Sequence, residues 1–171
     1  MRRTRRTAIA GAAAALGLTL AGCDGTGLTA GSAPTTKLTA ARSGSLGPVV
    51  TDAEGRTLYR FDEDDTDPPK SNCAGECATQ WPAALVFDRR EVTLEGVDQR
   101  LVGTVTRADG SIQLTLAGSP LYRFAGDIRP GETRGQGVGG TWFAVTPAGA
   151  RAAQAGPAQQ PSQAPDDGYG Y

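Results

Sequence analysis

Gly55-Arg56-Thr57-Leu58-Tyr59-Arg60-Phe61-Asp62-Glu63-Asp64 and Gly118-Ser119-Pro120-Leu121-Tyr122-Arg123-Phe124-Ala125-Gly126-Asp127 are two copies of one pattern. Leu-Tyr-Arg-Phe is identical in both, and the closing aspartate falls in register. Upstream, Val49 aligns with Ile112 and Thr51 with Leu114; downstream, Trp81 lies twenty residues after Phe61 and Trp142 eighteen after Phe124. Each unit therefore reads strand, turn, strand carrying Tyr-x-Phe, aspartate-ended loop, tryptophan segment. Two copies are too few for a solenoid, whose stacked repeats need at least three. They are read as two pseudo-symmetric halves of one core.

The residues around the repeats are rich in Val, Leu, Thr and aromatics, broken at short intervals by Gly, Pro and Asp, which is the pattern of short strands. Strands are predicted at Gly47–Thr51, Thr57–Phe61, Ala84–Phe87, Leu101–Arg107, Ser111–Leu116, Pro120–Phe124 and Thr141–Val145. Asp109-Gly110 marks a hairpin turn, and Glu54-Gly55 and Ala117-Gly118 are turns of the same kind. Sustained 3.6-residue periodicity is absent; Asn72–Gln80 has room for one helical turn or two. The expectation is an all-β domain over residues 46–146, a single small barrel or sandwich, with repeat one at about 46–88 and repeat two at about 101–146. Residues 23–45 read as a flexible Gly/Thr/Ser/Ala tether, and residues 147–171 as a disordered tail too poor in apolar side chains to offset the entropy of ordering.

The motif residues carry two readings. Tyr59 and Phe61 share one strand face, as do Tyr122 and Phe124, while Leu58, Arg60, Leu121 and Arg123 point the other way. On the structural reading the aromatics fill the core, each arginine lies on the outer face, and Asp64 and Asp127 accept backbone N–H bonds in their turns. On the functional reading Tyr, Asp and Arg form a ligand site twice. Trp81 and Trp142 are either core residues or a stacking platform for sugars. A carboxylate-based hydrolase would need Asp64 and Asp127 to face each other across a cleft. The acidic run from Asp62 to Asp67 lacks the glycine and glutamate of an EF-hand at positions six and twelve, so it reads as a solvated loop. The glycine-rich stretch Gly135-Gln136-Gly137-Val138-Gly139-Gly140 lacks the Lys-Ser/Thr ending of a phosphate loop.

Composition removes whole classes of chemistry. The 171 residues include no histidine, and the initiator is the only methionine. Ser–His and Cys–His nucleophiles, His-ligated zinc, His/Met haem and blue copper are thereby excluded within the sequence given. No cofactor or metal site is expected. Three cysteines are present: Cys23, Cys73 and Cys77. Cys73 and Cys77 are an even pair, so a disulfide is the default, structural rather than redox because the spacing is C-x-x-x-C. The alternative function is a thiol–disulfide or electron-transfer accessory protein acting through these two cysteines.

The first residues decide location. Arg2, Arg3, Arg5 and Arg6 precede an uncharged run from Ala8 to Leu20 and then Leu20-Ala21-Gly22-Cys23. Thirteen helical residues reach only about 20 Å, short of the roughly 30 Å hydrocarbon core, so a transmembrane anchor is disfavoured. The segment resembles the signal and lipobox of bacterial lipoproteins, which implies cleavage after Gly22, a diacylglycerol on Cys23, and residence on the extracytoplasmic face of the cell membrane. Arg5-Arg6 also resembles a twin-arginine export signal without its usual large apolar residue, so either Sec or Tat export fits. Removing residues 1–22 leaves 13 basic against 18 acidic residues, a charge of −5. With only Lys37 and Lys70 as lysines, a nucleic-acid partner is not expected.

The paired Tyr-x-Phe-x-x-Asp copies, Cys73-Ala74-Gly75-Glu76-Cys77 before Trp81-Pro82, and the run from Pro130-Gly131 to Trp142 resemble the bacterial secreted-repeat lipoproteins. That family is defined by a repeated Tyr-x-aromatic-x-x-Asp motif, and the similarity spans about Leu46 to Thr146. One departure is Ala83, where a second proline commonly follows Trp-Pro. The resemblance implies location and architecture rather than an activity. The expected function is a lipid-anchored envelope protein, structural or binding and not an enzyme, its contact with the membrane made by the N-terminal lipid.

Overall fold

A computed structural model describes residues 35–153, so the Cys23 assignment and residues 154–171 lie outside the described residues. The chain enters in β1 (Lys37–Ser43), turns through a short 3-10 segment and returns as β2 (Gly47–Thr51), antiparallel to β1. This corrects the expected tether, which was drawn to residue 45. β1 is weakly apolar in sequence, and its order comes from its neighbours, β2 on one edge and the parallel β6 (Thr93–Glu95) on the other. Leu38, opposite Leu94, is its buried anchor.

Further along come β3 (Tyr59–Phe61), the small hairpin of β4 (Asp65–Thr66) and β5 (Pro69–Lys70), and α1 (Glu76–Gln80). The second repeat contains β7 (Val102–Thr106), β8 (Ile112–Leu116), β9 (Ser119–Pro120) and β10 (Trp142–Ala144). β7 and β8 form the hairpin expected at Asp109-Gly110, where Gly110 takes a positive φ of 82°. Ala117 and Gly118 both have positive φ, as a two-residue hairpin turn of primed type requires. The predicted strand at Ala84–Phe87 is not a strand. Its bonds are divided among different neighbours, with single bridges from Ala83 to Tyr122 and from Leu85 to Gln113.

The strands form four small sheets, ordered β2-β1-β6, β10-β3, β4-β5 and β7-β8-β9. They do not close into a barrel, so the domain is mostly β with one very short helix. Two junctions of three chain segments each tie these sheets together. In the first, backbone N–H groups donate in a ring: Leu58 to Val50 (2.9 Å), Val50 to Val145 (2.8 Å) and Val145 to Leu58 (3.0 Å). In the second, Leu121 donates to Leu114, Leu114 to Ala84 and Ala84 to Leu121, each at 2.9 Å. All six residues are buried in one aliphatic core.

The junctions also correct the alignment of the repeats. Val50, not Thr51, is equivalent to Leu114, because the first turn (Thr51 to Thr57) holds one residue more than the second. The equivalences Leu58 with Leu121 and Tyr59 with Tyr122 are unchanged. Each ring takes two members from one repeat and the third from the other: Val145 completes the first and Ala84 the second. The halves are therefore exchanged, each donating its final segment to its counterpart.

The tail boundary shifts too. Thr146 to Ala150 form a turn, Val145 bridges to Arg151, and Ala152 is buried against the aromatic cluster. Among the described residues, no helix is long and apolar enough to cross a membrane.

Candidate functional site

The tryptophan segments follow the same exchange. In the β10–β3 pair, Trp142 stands opposite Phe61 and Ala144 opposite Tyr59. The first repeat's segment makes the equivalent match, with Ala83 bridged to Tyr122, Arg123 N–H donating to Pro82 and Ala125 N–H to Gln80. Six of the predicted site residues thereby converge. Trp81 and Trp142 stack with centroids 3.9 Å apart and planes 2° from parallel. Phe61 stacks on Trp142 at 4.2 Å, and Phe124 lies tilted on Trp81 at 4.5 Å. Tyr59 meets Trp81 edge-on at 5.4 Å, and Tyr122 meets Trp142 at 5.1 Å. Offset and edge-to-face pairs of this kind each contribute about 0.5–1.5 kcal/mol beyond area burial. Both indoles are buried, so the sugar-stacking reading has no open ring face to use.

The phenol groups leave this cluster at opposite ends, and each ends on the aspartate of the other repeat. Tyr59 O–H donates to Asp127 Oδ2 at 2.5 Å, and Tyr122 O–H donates to Asp64 Oδ2 at 2.7 Å. Each carboxylate also closes its own loop. Asp64 Oδ1 accepts Asn72 N–H at 2.7 Å, and Asp127 Oδ1 accepts Arg134 N–H at 2.9 Å. Backbone acceptance by the motif aspartates, expected in the turns themselves, occurs eight and seven residues downstream.

The two ends differ in what surrounds the phenol. Tyr59 Oη accepts the Gly135 N–H at 3.3 Å. A β-carbon on Gly135 would stand 2.8 Å from the Tyr59 ring and 2.9 Å from that of Trp81, so the glycine-rich loop serves as a lid that only a bare backbone can form. Tyr122 Oη shares a 2.8 Å hydrogen bond with Ser71 Oγ. Arg107 donates to Ser71 Oγ (2.6 Å), Gln113 Oε1 (2.7 Å) and the Cys73 carbonyl (2.8 Å), and Gln113 Nε2 donates to the Leu121 carbonyl. Burial pushes both phenols well above the ordinary tyrosine value, and the adjoining carboxylates add to it. Burial also raises the Asp64 carboxyl, opposed by the Asn72 N–H, Tyr122 and Arg107.

The strand faces opposite the tyrosines are not outer faces, which corrects the expectation for the arginines. Leu58 and Leu121 are buried in the aliphatic core, and Arg123 is 2% exposed. Its Nε donates to Asp52 Oδ2 at 2.6 Å and its Nη2 to Thr35 Oγ1 at 3.0 Å. Arg60, its counterpart, is half-buried and donates to the Gly149 carbonyl at 3.1 Å, with Asp62 3.5 Å away. The equivalence of Val50 with Leu114 explains the difference: the position of Asp52 is taken by Leu116 in the second repeat. The acidic run is likewise less solvated than expected, because Asp64 is buried and Asp62 pairs with Arg60 and Arg151.

Cys73 and Cys77 are disulfide-bonded, with Cα atoms 5.3 Å apart. Cys73 is buried within the aromatic cluster, and Cys77 packs against it from the edge. Sequence reasoning missed Arg107, Gln113, Ser71, Asp52 and the special role of Gly135. For Gln113 the alternation of β8 pointed the wrong way, since Ile112, Leu114 and Leu116 are its apolar positions. The strand lies between two cores and buries both its faces from Gln113 onward, leaving Ile112 exposed.

No curated protein and no solved structure matches the chain. The family described as a secreted repeat of unknown function matches it twice, at residues 40–85 and 103–146, which together make up more than half of its length. Those two spans are the halves that exchange their tryptophan segments, and the chain belongs to this secreted-repeat family.

Proposed function

We propose that the chain is a lipid-anchored, extracytoplasmic envelope protein whose folded part is a non-catalytic structural or binding module. The observation that carries the second half of this reading is how the motif side chains are used. Both tyrosines, both aspartates and both tryptophans are buried and bonded or stacked to each other across the repeats. Asp64 and Asp127 belong to separate networks, each with its own tyrosine and loop, which is not the facing pair of carboxylates that glycoside hydrolysis uses. The motif is then the scaffold of this domain, and any ligand is met elsewhere on the surface.

The anchoring half is supported by Leu20-Ala21-Gly22-Cys23 after an uncharged run, in a family of secreted repeats. Two acyl chains hold a protein to a bilayer, because each buried methylene contributes about 0.8 kcal/mol. The mature wild-type protein is expected to partition into the detergent phase of a phase-separation assay. Cys23→Ala is expected to release it or leave its signal uncleaved. A Cys23→Ala protein that remains processed and membrane-bound would refute the anchor.

A further inference from the structure

Away from the aromatic cluster, a cavity of about 400 Å³ opens beside β6. Its floor is Val92, Leu94, Val97 and Val102, which extend the aliphatic core to the surface. Its rim is polar, formed by Arg89, Arg90 and Gln99. The volume falls within the roughly 300–1,000 Å³ range of small-molecule sites, and an apolar floor with a few polar groups at one side is how such sites are built.

The two rim arginines are held differently. Asp88 Oδ2 accepts from Arg90 Nε at 3.0 Å and Nη2 at 2.6 Å, and Asp88 Oδ1 accepts from Nε at 3.2 Å. Arg89 instead donates Nη1 to the Val102 carbonyl at 2.7 Å and makes no ion pair among the described residues. A planar guanidinium with donors to spare matches one carboxylate.

The position of the cavity also bears on its occupant. The described chain begins here: Thr35 N–H donates to the Leu85 carbonyl at 2.6 Å, and Thr93 N–H to the Thr36 carbonyl at 2.9 Å. Leu94 of the floor is paired with Leu38 of the first strand. Between Leu85 and Thr93 the chain makes an excursion that carries Arg89, Arg90 and Phe87, and the Phe87 ring is 77% exposed.

We propose that this cavity binds a long-chain carboxylate, a free fatty acid, with its alkyl chain over Val92, Leu94, Val97 and Val102 and its carboxylate on Arg89. The site goes beyond the anchoring reading and does not require it. The anchor would only bring the cavity to where such amphiphiles concentrate.

The test is calorimetric titration of the full chain with dodecanoate below its micellar concentration, alongside dodecanol, dodecyl phosphate and butyrate. Saturable dodecanoate binding is expected, about tenfold tighter than dodecanol, the difference one charged hydrogen-bonding contact makes. Butyrate is expected not to bind. Arg89→Gln should bring dodecanoate down to the level of dodecanol, and Val92→Trp should abolish both while leaving a cooperative thermal unfolding transition. Absence of saturable binding, or wild-type binding by both variants, overturns the site. Tighter binding of dodecyl phosphate overturns the carboxylate assignment. The Cys23→Ala chain is expected to bind dodecanoate like the wild type, so failure of the anchor and failure of the cavity are read separately.

Discussion

Tyr59 and Tyr122 exchange both of their backbone hydrogen bonds, Tyr59 N–H to the Tyr122 carbonyl at 2.8 Å and Tyr122 N–H to the Tyr59 carbonyl at 2.9 Å. This pair is where the halves cross. From it each phenol runs to the other repeat's aspartate, and each strand pairs with the other repeat's tryptophan segment. The recurrent Tyr-x-Phe-x-x-Asp pattern thus follows from one geometry used twice: tyrosine and aspartate of one copy are never partners of each other.

That crossing predicts a coupling pattern. Tyr59→Phe leaves the buried Asp127 carboxylate without its phenol donor, at a cost of about 1–3 kcal/mol. Chemical denaturation of Tyr59→Phe, Asp127→Asn and the double variant should give an interaction energy of about 0.5–3 kcal/mol. The in-repeat combination Tyr59→Phe with Asp64→Asn should be additive to within about 0.5 kcal/mol. Additivity in the first cycle and coupling in the second would mean that the pairs are formed within repeats.

The buried phenols predict a limit at alkaline pH. Both native tyrosines titrate above their ordinary value of 10.0, so the unfolded chain loses protons first as pH rises. Their contribution is fully present below pH 10 and declines above it, by about 1.4 kcal/mol per pH unit for each tyrosine. Tyr59→Phe and Tyr122→Phe should each flatten this decline. Asp64 acts in the acidic range. Its native carboxyl is raised above 3.8, so stability falls as pH climbs from there through the raised value, and Asp64→Asn removes that slope. Denaturation midpoints measured across pH 3–7 and pH 9–11 check both directions.

Much of the fold was legible because local chemistry decided it. β2 matches its expected bounds, β7, β8 and β10 fall within theirs, and Asp109-Gly110 turns as its residue types require, whereas Ala117 takes a positive φ of 49° that alanine disfavours. β1 was not legible, since Lys-Leu-Thr-Ala-Ala-Arg-Ser has little apolar signal and is held by what lies on either side. The exchange between halves was hidden for a different reason: two copies of one pattern satisfy the same pairing rules within a repeat or between repeats. Arg60 and Arg123 occupy identical motif positions, and their divergent surroundings depend on Asp52 and Leu116, which only the corrected register places in correspondence. The structure brings the motif aromatics together, but the groups around them come from long-range contacts that the local pattern does not encode, such as Arg107 with Ser71, 36 residues apart.

Gly135→Ala isolates the fit of the lid. The added carbon meets two aromatic rings below 3.0 Å, and overpacking of this kind costs about 1–3 kcal/mol. Gly110→Ala is the comparison, because its positive φ is strained for alanine but nothing lies within 4 Å of the new carbon. Its cost should stay near 1 kcal/mol, the backbone part alone. The Gly135 variant should also perturb the near-ultraviolet dichroism of Trp81, and the Gly110 variant should not.

The disulfide is expected to behave as a staple. A bridge closing so short a loop contributes about 2 kcal/mol in the chain-entropy model. Cys73→Ala/Cys77→Ala should fold with a lowered melting temperature and the same aromatic dichroism. With Cys73 buried, thiol reagents should leave the native bridge intact until denaturant opens the domain. Rapid reduction of the folded protein would instead favour the redox reading of the pair.

The exchange of segments makes one demand on folding that a side-by-side arrangement would not. Val145 completes the junction of Val50 and Leu58, and Ala84 that of Leu114 and Leu121, so each half is missing a segment when alone. Cutting the chain after Glu91, in an exposed 3-10 turn, should give two fragments that are each unfolded by circular dichroism and amide dispersion. Mixed in equal amounts they should recover the native spectrum, including the signal of the stacked indoles, which come one from each fragment. A fragment that folds cooperatively by itself would show that its own segments suffice. Phe61 would then stand opposite Trp81 of its own repeat instead of Trp142, and the crossed arrangement would not be what holds the domain together.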